Sequence, residues 1–220
     1  MDNIKGIIAL TSWKARIKGV GLTIFSILKH CKGFKVVLTL SDEEFPQKEA
    51  ELPGDLQALA KAGVIQILWV HKNYKPYKKI IFAMKAYPDL PIISADDDCL
   101  YKYDYAGELY NKWKQNPGCI IAQTVGDGIP WGYATLHPPG AYNPYVFAAI
   151  ADYCLSRQSY HDDLLYHLYA KRKGIRILSM FHEVPHVVQF HNGACGLVNE
   201  RLKHHNDWRV MNEAFAKFFG

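Results

Sequence analysis

Four short apolar runs, the first three each followed by a segment of helical character, limit what this chain can fold into more than any other feature. Ile4–Leu10, Phe34–Leu40, Val64–Val70 and Pro91–Ala95 are rich in β-branched residues and read as buried strands. After the first run, Gly19–Cys31 places Val20, Leu22, Ile24, Phe25, Ile27 and Leu28 close to helical spacing, and Lys32-Gly33 stops it. After the second, Ser41-Asp42-Glu43-Glu44 has the form of a capping box, and Leu56–Lys61 is helical in pattern up to Ala62-Gly63. After the third, Lys78–Tyr87 is a short helix ended by Pro88. Strands alternating with helices at such short intervals predict an α/β fold, a mostly parallel central sheet flanked by helices.

The second half is less regular. Gly118–Val125, Ile175–Leu178 and His186–Phe190 read as strands, and Tyr145–Leu155, Asp162–Lys173 and Asp207–Phe218 as helices. Gly126–Gly140, rich in Gly and Pro, reads as a loop with a short strand at Tyr133–Leu136. No repeat or linker divides the 220 residues, so one domain over 1–220 is expected. Hydrophobic residues at 49% and charged residues at 21% exclude disorder, and no apolar run reaches the ~20 residues of a membrane span. The N-terminus lacks the pattern of a signal peptide. Five scattered cysteines without a Cys-x-x-Cys pair argue against a disulfide framework or a zinc ribbon, so a cytoplasmic setting is expected. Neither Gly-x-Gly-x-x-Gly nor a Walker-type Gly-Lys-Ser/Thr follows the first strand, which disfavours dinucleotide dehydrogenases and P-loop NTPases.

Charge is uneven: +6 over 1–95, −3 over 96–159 and +2 over 160–220, for a net +5. The acidic centre opens directly after the fourth strand, in Ile92-Ile93-Ser94-Ala95-Asp96-Asp97-Asp98. In an open α/β sheet ligands bind beyond the carboxyl ends of the strands. In extended geometry Asp96 and Asp98 share a side. Adjacent carboxylates repel, and a hard divalent cation would relieve that repulsion; capping of a following helix is the other role open to them. A second pair, Asp162-Asp163, starts a helix. There a carboxylate can cap the helix, or accept a proton from an attacking hydroxyl.

Together these pieces resemble a GT-A-fold glycosyltransferase of the bacterial polysaccharide type. The likeness rests on the first strand running into Leu10-Thr11-Ser12-Trp13-Lys14-Ala15-Arg16-Ile17, on Leu38–Pro46, on Lys78-Lys79-Ile80-Ile81 through Tyr87-Pro88, and on an acidic triplet similar to the Asp-x-Asp motif. Trp131–Gly140 is similar to the acceptor-side loop, and Asp162-Asp163 to the motif that carries the catalytic base. The resemblance implies a nucleotide-binding half over 1–100 and an acceptor-side half over 101–220. It implies Mn²⁺ or Mg²⁺ held by Asp98 with Asp96, and by His191 as a third ligand with His186 second. Thr11, Ser12, Arg16, Lys79, Asp96 and Asp97 would meet the nucleotide sugar. Asp163 would be the base, with Asp162 second.

The implied reaction moves a sugar from a nucleotide-sugar donor, a UDP-sugar first, to a hydroxyl on a glycan or a lipid-linked acceptor. The basic N-terminal part suits an anionic nucleotide or a membrane-held acceptor, so peripheral association with the inner face of a membrane is part of the expectation; nucleic acid is not. Two other readings compete: a metal-dependent nucleotidyl or phosphoryl transferase or nuclease using the same aspartates, and a non-catalytic module that binds sugar nucleotides. Tyrosine, with 14 copies, is the leading aromatic. Tyr101, Tyr103, Tyr105, Tyr133, Tyr142 and Tyr160 fall near these motifs and are expected to offer ring faces to a sugar or base.

Overall fold

The computed structural model describes residues 4–126, 128–180, 187–189 and 207–219, and only the backbone at Trp131, Gly132 and 187–189. Its strands are β1 (Gly6–Thr11), β2 (Phe34–Ser41), β3 (Ile65–Val70), β4 (Ile92–Ala95), β5 (Cys99–Tyr101), β6 (Ile120–Gly126), β7 (Ile129–His137), β8 (Ile177–Ser179) and β9 (Val187–Gln189). Its α-helices are α1 (Val20–His30), α2 (Gly54–Lys61), α3 (Lys78–Ala86), α4 (Tyr105–Gln115), α5 (Pro144–Ser156), α6 (Asp162–Lys173) and α7 (Asp207–Phe219). A main sheet runs in the order β3-β2-β1-β4-β7-β6-β8, while β5 and β9 pair separately. Strands β3, β2, β1 and β4 are parallel, as are β6 and β8; β7 is antiparallel to both of its neighbours.

The apolar runs are strands because helices cover both faces of the sheet. Along β1, Ile8 and Leu10 point into one core with Val36, Leu38 and Ile93. Ile7 and Ala9 point into the other with Val37 and Ile92. This alternation with period two leaves no polar face, so the strands read as continuous hydrophobic runs. The first core is closed by Val20, Ile24 and Ile27 of α1, Leu56 of α2 and Leu109 of α4. The second is closed by Ile80 and Ile81 of α3, Phe147 and Ile150 of α5, Leu164 and Leu165 of α6 and Val210 of α7. Each such side chain contributes roughly 1.5–3 kcal/mol on burial.

The connectivity locates a crevice. From β1 the chain steps outward to β2 and β3, then returns to place β4 on the other flank of β1. The carboxyl ends of β1 and β4 therefore border a topological switch point, where open α/β sheets bind ligands. Thr11 and Ser12 lie at one end, and Asp96 follows the other.

Three local expectations are corrected. Ser41 does not open a helix: β2 runs through it, its Oγ donates to the His71 carbonyl at 3.1 Å and accepts the Glu43 N–H at 3.2 Å, and the next α-helix begins at Gly54. Gly126–Gly140 is mainly strand: β7 spans nine residues, because it pairs with β4 on one side and β6 on the other. The segment similar to an acceptor-side loop is thus strand up to His137, with a turn only at Pro138-Pro139-Gly140. Helix α4 was not foreseen at all.

Candidate functional site

The acidic triplet is clamped in place. The Asp96 N–H donates to the hydroxyl of buried Tyr101 at 3.0 Å, and that hydroxyl donates to the Tyr133 carbonyl at 2.6 Å. From α1, the Thr23 hydroxyl donates to the Asp97 carbonyl at 2.9 Å, and Ser26 Oγ accepts the Tyr101 N–H at 3.0 Å. These bonds fix the turn between β4 and β5. Carboxylate oxygens of Asp96 and Asp98 and the Cys99 sulfur come within 4.8 Å of one another. Asp96 and Asp98 do come together, but across the turn at Asp97-Asp98 rather than along an extended strand, and Cys99 joins them.

Two cations, Lys79 buried and Arg16 largely so, hold the carboxylates. Arg16, in the turn after β1, pairs with Asp97 and, at 2.9 Å, with Asp98. Lys79, near the start of α3, lies 3.3 Å from Asp96 and 3.0 Å from Asp162. The Lys79 side chain is only 9% exposed, so it is not part of a solvated helix face. Burial works against its charge, yet Asp162, Asp96 and Asp163 outweigh burial and raise its pKa. Burial pushes the Asp96 carboxyl up to about 6, against the pull of Lys79 and with the added repulsion of Asp162, Asp98 and Asp97. Asp96 lies deep among protein groups, yet 40% of its side chain still meets solvent, so it forms the open part of the cluster. Burial also raises Asp97, against the opposing pull of the Arg16 guanidinium and of the neighbouring Ser12.

The second acid pair opens α6, but neither aspartate caps it: His161 does, its Nδ1 accepting the Leu164 N–H. Asp162 accepts instead from Lys79 and, at 3.1 Å, from the Tyr166 hydroxyl. Burial opposes the charge on Asp162, but Lys79 and these hydrogen bonds keep its pKa below the usual carboxylate range. Asp163 follows at the same helix end, half-buried and within the field of Lys79. Lys79 thus joins the end of β4 to the start of α6 and brings both acid motifs to one sheet edge.

The other expected ligands divide. Ser12 and Arg16 border Asp97. The Thr11 hydroxyl donates to the Thr39 carbonyl at 2.8 Å and so ties β1 to β2. Among the described residues, Trp13 Nε1 and Arg16 Nε are buried donors without an acceptor, at the edge where a ligand would lie. His191 and His186 lie outside the described residues. Tyr101, Tyr105 and Tyr142 are buried, at 1%, 2% and 3% exposure, and cannot offer a face to a ligand. Tyr142 instead packs with Phe147, Tyr166 and Tyr169 in the second core. Tyr103, Tyr133 and Tyr160 keep partial exposure. Reading the residues alone missed Cys99, Tyr166 and the double role of Lys79. The clue to Tyr166 was its place one turn after Asp162, where i,i+4 partners meet on a helix.

The donor set fits a hard divalent cation. Two carboxylates supply oxygen ligands, and the third member is a thiol that burial holds strongly protonated, with Asp96 and Asp98 adding repulsion. A neutral thiol does not make the thiolate site that soft metals select. Oxygen ligands with room for water suit Mg²⁺ or Mn²⁺.

No protein-family profile matches this chain, and no curated protein does. Solved structures do match. A cytidylyltransferase from Leptospira borgpetersenii superposes with a TM-score of 0.56 at 12% identity, over 94% of this chain and 95% of its own. The glycosyltransferase GlyE of Streptococcus pneumoniae gives 0.52 at 12% identity, over 98% of this chain and 64% of its own. The mannosyltransferase PcManGT of Pyrobaculum calidifontis, in complex with GDP-Man and Mn²⁺, gives 0.58 at 12% identity, over 97% and 63%. The chain thus spans just under two thirds of each of these two glycosyltransferases. At such identity the likeness is one of fold alone, a GT-A-like α/β fold that this chain shares with a cytidylyltransferase and with two glycosyltransferases.

Proposed function

We propose that this chain is a metal-dependent glycosyltransferase that moves a sugar from a nucleotide-sugar donor to a hydroxyl of a glycan or lipid-linked acceptor. The observation that carries this reading is the Lys79 bridge. One buried ammonium holds Asp96, one of a cation-suited pair of carboxylates, and Asp162, beside a second acid. Two glycosyltransferases of like fold support it, one of them in complex with GDP-Man and Mn²⁺.

Asp96 and Asp98 would hold Mn²⁺ or Mg²⁺, with His191 as the further ligand that the family resemblance implies. Their role would be to hold an ion whose positive charge would be available against the charge of a departing nucleoside diphosphate. Ser12, Trp13 and Arg16 offer donors to the nucleotide, Asp97 keeps Arg16 in position, and Thr11 anchors the loop that carries them. Asp162 is committed to Lys79 and Tyr166. Asp163, half-buried at the same helix end and the final acid of the motif that the resemblance points to, is our base: it takes the proton of the acceptor hydroxyl as that oxygen attacks the sugar. We place the activity in the cytoplasm, a reading supported by the free thiols of Cys31, Cys99, Cys119 and Cys154.

Nucleotidyl transfer from CTP is the second reading, favoured by the cytidylyltransferase likeness that spans 95% of that chain. Incubation with UDP- and GDP-sugars, or with CTP and a sugar phosphate, separates the two. Glycosyl transfer releases nucleoside diphosphate from the sugar nucleotide, and nucleotidyl transfer releases pyrophosphate from CTP. We expect the first product, dependent on divalent cation. Pyrophosphate from CTP alone would replace our reading with the second.

A further inference from the structure

Between Asp2 and Asp42 the sequence carries Lys5, Lys14, Arg16, Lys18, Lys29, Lys32 and Lys35 and no carboxylate. Helix α1 lies within this stretch. Lys18, Leu22, Phe25 and Lys29 recur at intervals of four, three and four, which sets them along one side of the helix and the turn before it, and Lys32 follows just past its C-terminal end. All five are exposed, Leu22 at 59% and Phe25 at 50%. The other side is spent on the core through Val20, Ile24 and Ile27. The outward face is thus an apolar pair with ammonium groups at both ends. Asp55 packs on buried Gly21 of α1, and Asp104 lies by Cys31 at its C-terminal end, both outside this stripe.

We propose that this face docks the protein on an anionic lipid surface, with Leu22 and Phe25 entering the acyl boundary and Lys18, Lys29 and Lys32 meeting headgroup phosphates. Charge complementarity selects the partner, since a basic face with an apolar centre is what lies at a lipid interface. A nucleic acid would meet the lysines but gains nothing from an exposed Leu–Phe pair. A second copy of the same face would set lysines against lysines. The inference uses no residue of the proposed reaction and stands apart from it. It does have a consequence for position. The inner side of α1 holds the acidic triplet through Thr23 and Ser26, so docking brings that triplet beside the bilayer.

Co-sedimentation of the full chain with vesicles tests this. We expect binding to phosphatidylcholine vesicles containing phosphatidylglycerol, little binding to phosphatidylcholine alone, and release by salt. Leu22→Ser/Phe25→Ser should lower the partition coefficient at least about 10-fold, and Lys18→Glu/Lys29→Glu should abolish binding, both with unchanged melting temperature. Both pairs are exposed, so neither change disturbs the core. Absence of vesicle binding overturns the proposal. So does undiminished binding in the Leu22/Phe25 variant, which would mark a generic polyanion patch. A concentration-dependent dimer that this variant abolishes would show a protein partner instead and overturn it equally.

Discussion

The Lys79 ammonium lies 3.3 Å from Asp96 and 3.0 Å from Asp162, and only 9% of the side chain meets solvent. Removing it leaves two crowded carboxylates without their shared counter-ion, and stranded buried charge is costly. Lys79→Met should therefore lower unfolding stability by about 3 kcal/mol in urea titrations near pH 7, and Lys79→Arg by clearly less. Equal stability of all three proteins would show that the bridge carries no weight. Asp163 is expected to act on chemistry rather than on binding. Asp163→Asn should cut kcat roughly 10²–10⁴-fold while nucleotide affinity is kept. Near-normal turnover would remove it as the base. The triplet and the second acid pair were legible in the sequence because consecutive acids after an apolar run stand out. The bridge was not. A Lys-Lys pair on an amphipathic segment looks like a solvated face, and only the tertiary packing of α3 against β4 and α6 turns Lys79 inward.

The strands of the first half were readable because apolar runs buried on both faces need no partner to be recognised. Helix α4 was missed for a local reason. Its first turn holds Gly107, a poor helix former, and its cap, Asp104, sits in a run of tyrosines. The structure explains both residues: the Asp104 carboxylate accepts the Gly107 N–H at 2.9 Å, and a Cβ on Gly107 would lie 2.2 Å from the same carboxylate. Asp104→Ala should cost roughly 1 kcal/mol of stability through the lost cap, measured by thermal or urea unfolding. No change would mean that the helix end is held by its packing alone. Strand β7 was shortened for a similar reason: Pro130 and Gly132 hide a strand that exists because β4 and β6 both pair with it.

For the whole molecule, acid sensitivity follows in part from His137. It is 1% exposed, its Nδ1 lies 2.9 Å from the Tyr142 hydroxyl, and its ring meets Tyr166 edge-on at 4.6 Å. Burial, with Lys79 nearby, depresses its pKa from 6.5 to about 3. Below about pH 6.5 the unfolded chain binds a proton that the folded one refuses. The stabilisation is complete above that pH and is lost as pH falls toward 3, at up to ~1.4 kcal/mol per unit. The stability of the native protein relative to His137→Gln should fall along that slope; a constant difference would contradict it. The fold class was legible from the strand–helix alternation, whereas the strand order that sets β4 beside β1, and so makes the crevice, emerged only from tertiary pairing. The central claim is that this crevice uses Asp96, Asp98 and a divalent cation to release a nucleoside diphosphate from its sugar. The direct measurement is nucleoside diphosphate release from a UDP- and GDP-sugar panel, with Mn²⁺ or with chelator, by the native protein and by Asp98→Ala. We predict release that needs the ion and is lost in a folded Asp98→Ala protein; release that survives both chelator and the substitution would contradict the account.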